Sequence, residues 1–347
     1  MQTSGDLAVI TIITKKGSTP RLPGTRMLVT ADGKTWGTVG GGFCEADAVR
    51  AAAEVITTHK NRILQYSSVP GSSFPDDIIC GGSLDVLVEY LPADRYHLQV
   101  ISEFVEHQKK RTTPVMIIPL PDTGRNDRIR FFIDADGLAR GFYGDLPVQQ
   151  LQGIVNTFPY PEILVINGER FLVEPCPPHC RLIICGAGYI SAEITPLACH
   201  LGFEVQVLDD RYEFLEQDVF SGVTRVSVMS YETCLQTREV DVATGILIVT
   251  RSHLFDLQVL RQALLTPAWY IGMIGSNHKW RAISSVLLDE GFCESDLARV
   301  CCPVGLDIGA DSPEEIAISI AAELIRFRSE RKNQQIKMMR DIDPGTG

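Results

Sequence analysis

The chain has 347 residues, of which 45% are apolar and 22% charged, and a formal charge of −11 from 32 basic and 43 acidic side chains. The composition is that of a globular protein, and at roughly 150 residues per domain it predicts two domains. It excludes a wholly disordered chain, a collagen-like rod and a small disulfide scaffold, and so acidic a surface argues against a general nucleic-acid partner.

In chain order, Leu7–Thr14 is an apolar, β-branched run that predicts a strand. Met27–Thr30 and Trp36–Val39 flank Asp32-Gly33 and predict a hairpin. The alanine-rich Glu45–Thr58 predicts a helix, Leu84–Leu91 a strand and Tyr96–Lys110 an amphipathic helix. Strands are expected at Val115–Leu120 and Ile129–Ile133, and a short helix at Val148–Thr157. Glu162–Val173 predicts a hairpin, with Asn167-Gly168 at its turn. Prolines 175, 177 and 178 then exclude a helix or a central strand and mark a linker at 176–180.

Beyond the linker, strand and helix alternate as in a parallel sheet. Strands are expected at Arg181–Cys185, Glu204–Asp209, Gly245–Thr250 and Trp269–Ile274, with a further one at Arg299–Pro303. Helices are expected at Tyr189–Leu201, closed by Gly202, and at Asp256–Leu265 and Lys279–Glu290. A last helix starts with Ser312 as N-cap, Pro313 at N1 and Glu315 at N3. The expected fold is therefore α/β: a mixed α/β domain over 1–175, the linker, a Rossmann-like doubly wound parallel-sheet domain over 181–330, and a flexible tail over 331–347.

Chemistry-bearing residues cluster in both halves. Gly186-Ala187-Gly188-Tyr189-Ile190-Ser191 joins a strand to a helix as G-x-G-x-x-S. Gly186 suits the tight turn, Gly188 lets backbone approach a pyrophosphate, and Ser191 is small enough for helix–strand packing. Asp209, at the end of the next strand, is placed to accept ribose hydroxyls; Arg211 suits a 2′-phosphate, so NAD and NADP both stay open. The loops Thr250–Asp256 and Gly272–Lys279 belong to the same sheet edge and offer His253, Gly275, Ser276 and Lys279. His253 is a candidate proton-transfer group there.

In the first half, Ser18, Arg21 and Arg26 lie in one glycine- and proline-rich loop, and Gly40-Gly41-Gly42 leads through Glu45 into a helix. Exposed amides at a helix start and bidentate arginines both suit a phosphate. Cys80, followed by two glycines, is a candidate nucleophile or soft-metal ligand, against the commoner alternative of an inert buried thiol. Cys176, His179 and Cys180 lack a second pair at zinc spacing, which favours a linker. Cys301 and Cys302 should face opposite sides of a strand. The opening segment has neither a basic n-region nor a small-residue cleavage site, and no apolar run is long enough to span a bilayer. Reduced thiols and a cytoplasmic protein are expected.

Together the motifs resemble the XdhC/CoxI family, accessory factors of molybdenum hydroxylases such as xanthine dehydrogenase. In the first half the resemblance rests on Gly17–Arg21, Gly24–Met27, Gly40–Gly42 with Glu45, and Cys80–Gly82. In the second it rests on Cys185–Gly188, Val207–Arg211, Thr250–His253 with Asp256, Tyr270–Ser276 with Lys279, and Pro303–Gly309 running into Ser312–Ala317. It implies a protein that binds the molybdenum cofactor, as molybdopterin or its dinucleotide form. Such a protein supports sulfuration of the cofactor by a cysteine desulfurase and inserts it into an apo-hydroxylase. A homodimer is the default assembly. Cys80 is then a candidate contact to molybdenum. The alternatives are an NAD(P)-dependent oxidoreductase using the second domain and a nucleotide-sensing or structural partner of a hydroxylase. Cys44 and Tyr189 depart from the family pattern, and 92–175 match no motif.

Overall fold

The computed structural model describes residues 5–17, 21–67, 82–121, 130–141, 161–166, 168–176 and 179–342, with backbone alone for 332–342. Ser18, Cys80, Ile129, Asn167 and the expected Val148–Thr157 helix lie outside them. The chain divides into two compact units, Met1–Pro178 and His179–Gly347.

The first unit holds two antiparallel five-stranded sheets. One is built from β1 (Leu7–Lys16), β2 (Arg26–Thr30), β3 (Thr35–Gly37), β4 (Arg62–Ser67) and β5 (Ser83–Leu91), in the order β3-β2-β1-β5-β4. Helix α1 (Gly42–Thr58) lays Ala48, Ala51, Ala52 and Val55 on its Ala8, Ile10 and Ile12. Small alanines let the helix approach the sheet closely, and the burial of such residues supplies most of the local stability. After α2 (Arg95–Lys109), the second sheet comprises β6 (Val115–Pro119), β7 (Phe131–Ile133), β8 (Ala139–Arg140), β9 (Glu162–Ile166) and β10 (Glu169–Pro175). Ile13 and Leu87 of the first sheet share a buried cluster with Val100 of α2 and with Met116, Ile118, Phe132 and Leu172 of the second.

The second unit is a six-stranded, all-parallel sheet: β11 (Arg181–Cys185), β12 (Glu204–Asp209), β13 (Thr224–Ser227), β14 (Thr244–Ile248), β15 (Tyr270–Met273) and β16 (Val300–Cys301). Its order, β13-β12-β11-β14-β15-β16, is the doubly wound order of Rossmann domains. Strand β11 is buried at all five positions. With a period of two, Ile183 and Cys185 enter one core cluster, while Leu182 and Ile184 enter the other. The adjacent thiols of Cys301 and Cys302 likewise divide between the two clusters, each partly buried.

Helices cover both faces: α3 (Tyr189–His200), the short α4 (Tyr212–Leu215), α5 (His253–Leu264), α6 (Asn277–Asp289), the short α7 (Glu294–Leu297) and α8 (Pro313–Ile342). At the start of α8 the Glu315 amide donates to Ser312 Oγ at 3.3 Å, and the Ser312 amide donates to Glu315 Oε2 at 3.2 Å, closing a capping box. Helix α8 runs on into the segment expected as a tail, as far as Ile342. The polar run 328–342 consists largely of good helix formers and simply continues α8.

Candidate functional site

Strand β11 ends where the sheet order reverses, between β12 and β14, the position at which open α/β sheets bind ligands. Gly186 makes the turn with φ of 113°, and a Cβ there would stand 2.4 Å from the Val249 carbonyl oxygen. No other residue fits. Gly188 is different: a Cβ would meet nothing within 4 Å, so the protein's own packing does not require a glycine there. No side chain caps the N-terminus of α3, so its first amides and the positive end of its dipole face this opening. Ser191 is fully buried and donates to the Gly186 carbonyl, which fixes the turn.

Asp209 departs from its expected role. Its carboxylate is 1% exposed and accepts four bonds. They come from the Ala187 amide at 2.7 Å, the Arg211 amide at 2.9 Å, Arg211 Nε at 3.0 Å and a terminal Arg211 nitrogen at 3.1 Å. Two oxygens offer about four acceptor sites, so none is left for a ribose diol. The guanidinium of Arg211 also lies 3.6 Å from the centre of the Phe214 ring. The neighbouring Asp210 pairs instead with Arg251, which holds its carboxyl below the ordinary aspartate range.

On the other side of the crevice, Asp256 is 1% exposed and receives the Thr250 hydroxyl at 2.7 Å and its amide at 3.2 Å. Lys279 Nζ pairs with the same carboxylate and donates to the Ile274 carbonyl at 2.7 Å. A Cβ on Gly275 would come within 2.7 Å of the Lys279 side chain, so this glycine makes room for that pair. Ser276 caps α6 by accepting the Lys279 amide at 3.2 Å. These residues therefore brace the loops. His253, exposed at the first turn of α5, faces solvent.

In the first unit, Gly40, Gly41 and Gly42 all have positive φ and form an exposed nest of amides. The nest already holds an anion, the Glu45 carboxylate. It accepts the Thr38 hydroxyl at 2.5 Å and the Val39 and Gly41 amides at 3.0 Å each, and the hydroxyl bond leads in holding the Glu45 carboxyl below its ordinary value. Arg26 is paired with Glu174, and Arg130 with Glu89 in a buried pair. Arg21 is exposed in the loop before β2. Arg26, expected to meet phosphate, has an internal partner 148 positions away.

Nine cysteines among the described residues are free thiols. Among the described residues no group of three or more His, Cys, Asp or Glu side chains is placed to hold a metal ion. Burial pushes the Cys176 thiol up to about 12. No helix among the described residues is long and apolar enough to cross a membrane.

One residue at the crevice was not legible in the sequence. Tyr231, in the segment between β13 and β14, is 2% exposed, and its hydroxyl has no hydrogen-bond partner. It lies within the electrostatic reach of Cys185, Asp209, Asp210 and Arg251, and burial pushes its ionisation up.

Residues 182–324 match the family model described as the XdhC Rossmann domain, and residues 2–67 match that of the XdhC and CoxI family. The chain is 25% identical over 326 residues to a Bacillus subtilis (strain 168) protein named as a probable xanthine dehydrogenase subunit, covering 93% of each. It is 24% identical to the molybdenum cofactor insertion chaperone PaoD of Escherichia coli (strain K12), covering 94% of this chain and 85% of PaoD. It is 23% identical to YqeB of the same organism, over 93% of this chain but only 43% of YqeB, so it spans less than half of that longer relative. A crystal structure described as a xanthine dehydrogenase from Bacillus halodurans superposes with a TM-score of 0.79 at 26% identity, covering 95% of this chain and 94% of that one.

Proposed function

The chain belongs to the XdhC and CoxI family, and we propose that it is an accessory protein of molybdoenzyme maturation, with the molybdenum cofactor as its cargo. It receives the cofactor, as molybdopterin or its dinucleotide, shields it, and delivers it to an apo-hydroxylase of the xanthine dehydrogenase type. Similarity to PaoD along 94% of the chain supports the cargo. The protein acts as a homodimer in the cytoplasm, and a cysteine desulfurase sulfurates the cofactor while it is held.

The observation that carries this over an NAD(P)-dependent oxidoreductase is the saturation of Asp209. A nicotinamide enzyme of this fold reads the adenosine ribose with a free carboxylate at the end of the second strand. Here that carboxylate is spent on Ala187 and Arg211. The ammonium of Lys279 is tied to Asp256. What the crevice retains is its phosphate chemistry: the bare Gly188, the uncapped start of α3 and the exposed Arg251. A group that holds an anion without reading a ribose suits carriage.

Cys80 is the thiol we assign to the molybdenum or to sulfur exchange, as a thiolate ligand. The test is activation of an apo-hydroxylase in vitro with loaded protein. Wild-type protein should restore hydroxylase activity beyond free cofactor, and Cys80→Ser should lower that gain. Equal activation with and without the protein would refute delivery, and an unimpaired Cys80→Ser variant would remove the thiol from it.

A further inference from the structure

Arg251 holds Asp210 through both terminal nitrogens, one of them at 2.8 Å from Oδ2. Asp210 follows β12 and Arg251 follows β14, the two strands that flank β11. Two interstrand spacings separate those strands, about 10 Å. The pair therefore crosses the end of β11, at the turn where Gly186-Ala187-Gly188 opens into α3. It is a clasp over the glycine turn, with side chains 39% and 22% exposed, and an ion pair this wet is readily exchanged for another.

Tyr231, whose hydroxyl is orphaned, is linked to this clasp through Phe255. Its ring packs obliquely on Phe255, 5.0 Å between centres, and the Arg251 guanidinium lies 4.8 Å from the centre of the same Phe255 ring. A buried hydroxyl without a partner is rare and unfavourable. It stands on a side chain only 2% exposed, packed on the same Phe255 ring as Arg251. Neither Asp209 nor Asp210 takes it as a donor: Asp209 is saturated and Asp210 is turned to Arg251.

We propose that the crevice binds a phosphate ester whose anionic oxygens replace Asp210 on Arg251 and take the Tyr231 hydroxyl as a further donor. Arg251 is then the residue that reads the phosphate, and Asp210 is a built-in competitor that sets how strongly an anion must bind to enter. The guanidinium loses no charge partner in the exchange, while Asp210 swings into water. The orphaned phenol gains the acceptor it lacks. Asp209 keeps Arg211 and the glycine turn fixed throughout, so a ribose diol adds little. This goes beyond the carriage of molybdopterin: it assigns the phosphate-reading groups, and it holds whether the ester is a pterin phosphate or a nucleotide.

The test is calorimetric titration of the full chain with inorganic pyrophosphate, ADP and neopterin monophosphate. Asp210→Asn should tighten binding at least fivefold, and Arg251→Gln should weaken it at least tenfold. Tyr231→Phe should weaken binding severalfold without lowering the melting temperature, which separates a lost donor from a damaged fold. A preference for neopterin monophosphate identifies a pterin phosphate as the natural ester, and a preference for ADP identifies a nucleotide; either supports the clasp. Failure of all three probes to bind wild type and Asp210→Asn at millimolar concentration overturns it, as does unchanged affinity in Arg251→Gln. Retention of the molybdenum cofactor, measured separately on the same preparations, reports on the cargo independently.

Discussion

Lys279 reaches 23 positions back along the chain to close an ion pair with Asp256, and both side chains are almost wholly buried, at 11% and 2% exposure. The pair ties the start of α6 to the first turn of α5, and Thr250 completes the shell of Asp256. Removing one partner from such a pair leaves a buried charge uncompensated. Lys279→Met should lower the unfolding free energy by about 3–5 kcal/mol in denaturant titrations. Adding Asp256→Asn to it should recover part of that loss. An undamaged single variant would mean that water reaches the carboxylate.

The two glycines of the turn should respond oppositely. Gly186→Ala puts a methyl 2.4 Å from a backbone oxygen at a φ of 113°, and nothing there can yield cheaply. A loss of several kcal/mol is expected, on the order of the strain and overpacking values seen at such sites. Gly188→Ala meets open space and should leave the melting temperature unchanged while weakening any ligand of the crevice.

Glu45 makes the first unit sensitive to acid. The Thr38 hydroxyl and then the glycine-loop amides hold its carboxyl below the ordinary value of 4.5. A depressed folded value means that the unfolded chain binds the proton more readily. The stabilisation is therefore full above the unfolded value and is lost as pH falls through the lowered folded one. Glu45→Gln should be roughly 1 kcal/mol less stable at neutral pH, the size of a lost helix cap. The gap from wild type should close as pH falls below 4.5. A gap that stays constant well into acid would show that the charge plays no part.

Much of this was legible in the sequence, and the exceptions share a physical cause. Strand β11, the glycine turn and α3 follow from an apolar run meeting G-x-G, and the Asp32-Gly33 hairpin from its turn residues. Strand β4 is not signalled because Arg62 and Gln65 interrupt its apolar pattern, nor β13 because it is a short polar edge strand. The site was harder. Spacing placed Asp209 correctly at the end of β12, but spacing cannot show that Arg211, two residues on, fills its acceptor sites. Composition found the amide nest at Gly40–Gly42, yet Glu45, expected to contribute to a ligand site, is the anion in it. Arg26 meets Glu174 across 148 positions, and Tyr231 stands alone in an irregular segment with no motif around it.

Tyr231→Phe offers a stability test that is separate from binding. In the free protein the hydroxyl is buried without a partner, so its removal should raise stability by about 1 kcal/mol. Thermal unfolding of the ligand-free protein would reveal it. A clear loss of stability would mean that the hydroxyl is already satisfied, most simply by an ordered water.

Carriage of the cofactor can be measured outright. Purified protein is mixed with molybdenum cofactor released from a molybdoenzyme, passed through gel filtration without oxygen, and assayed for molybdenum and for oxidised-pterin fluorescence. Carriage predicts that both co-elute with the protein in equal amounts and leave it when an apo-hydroxylase is added. Elution of metal and pterin in the small-molecule volume, with the protein peak empty of both, would contradict it.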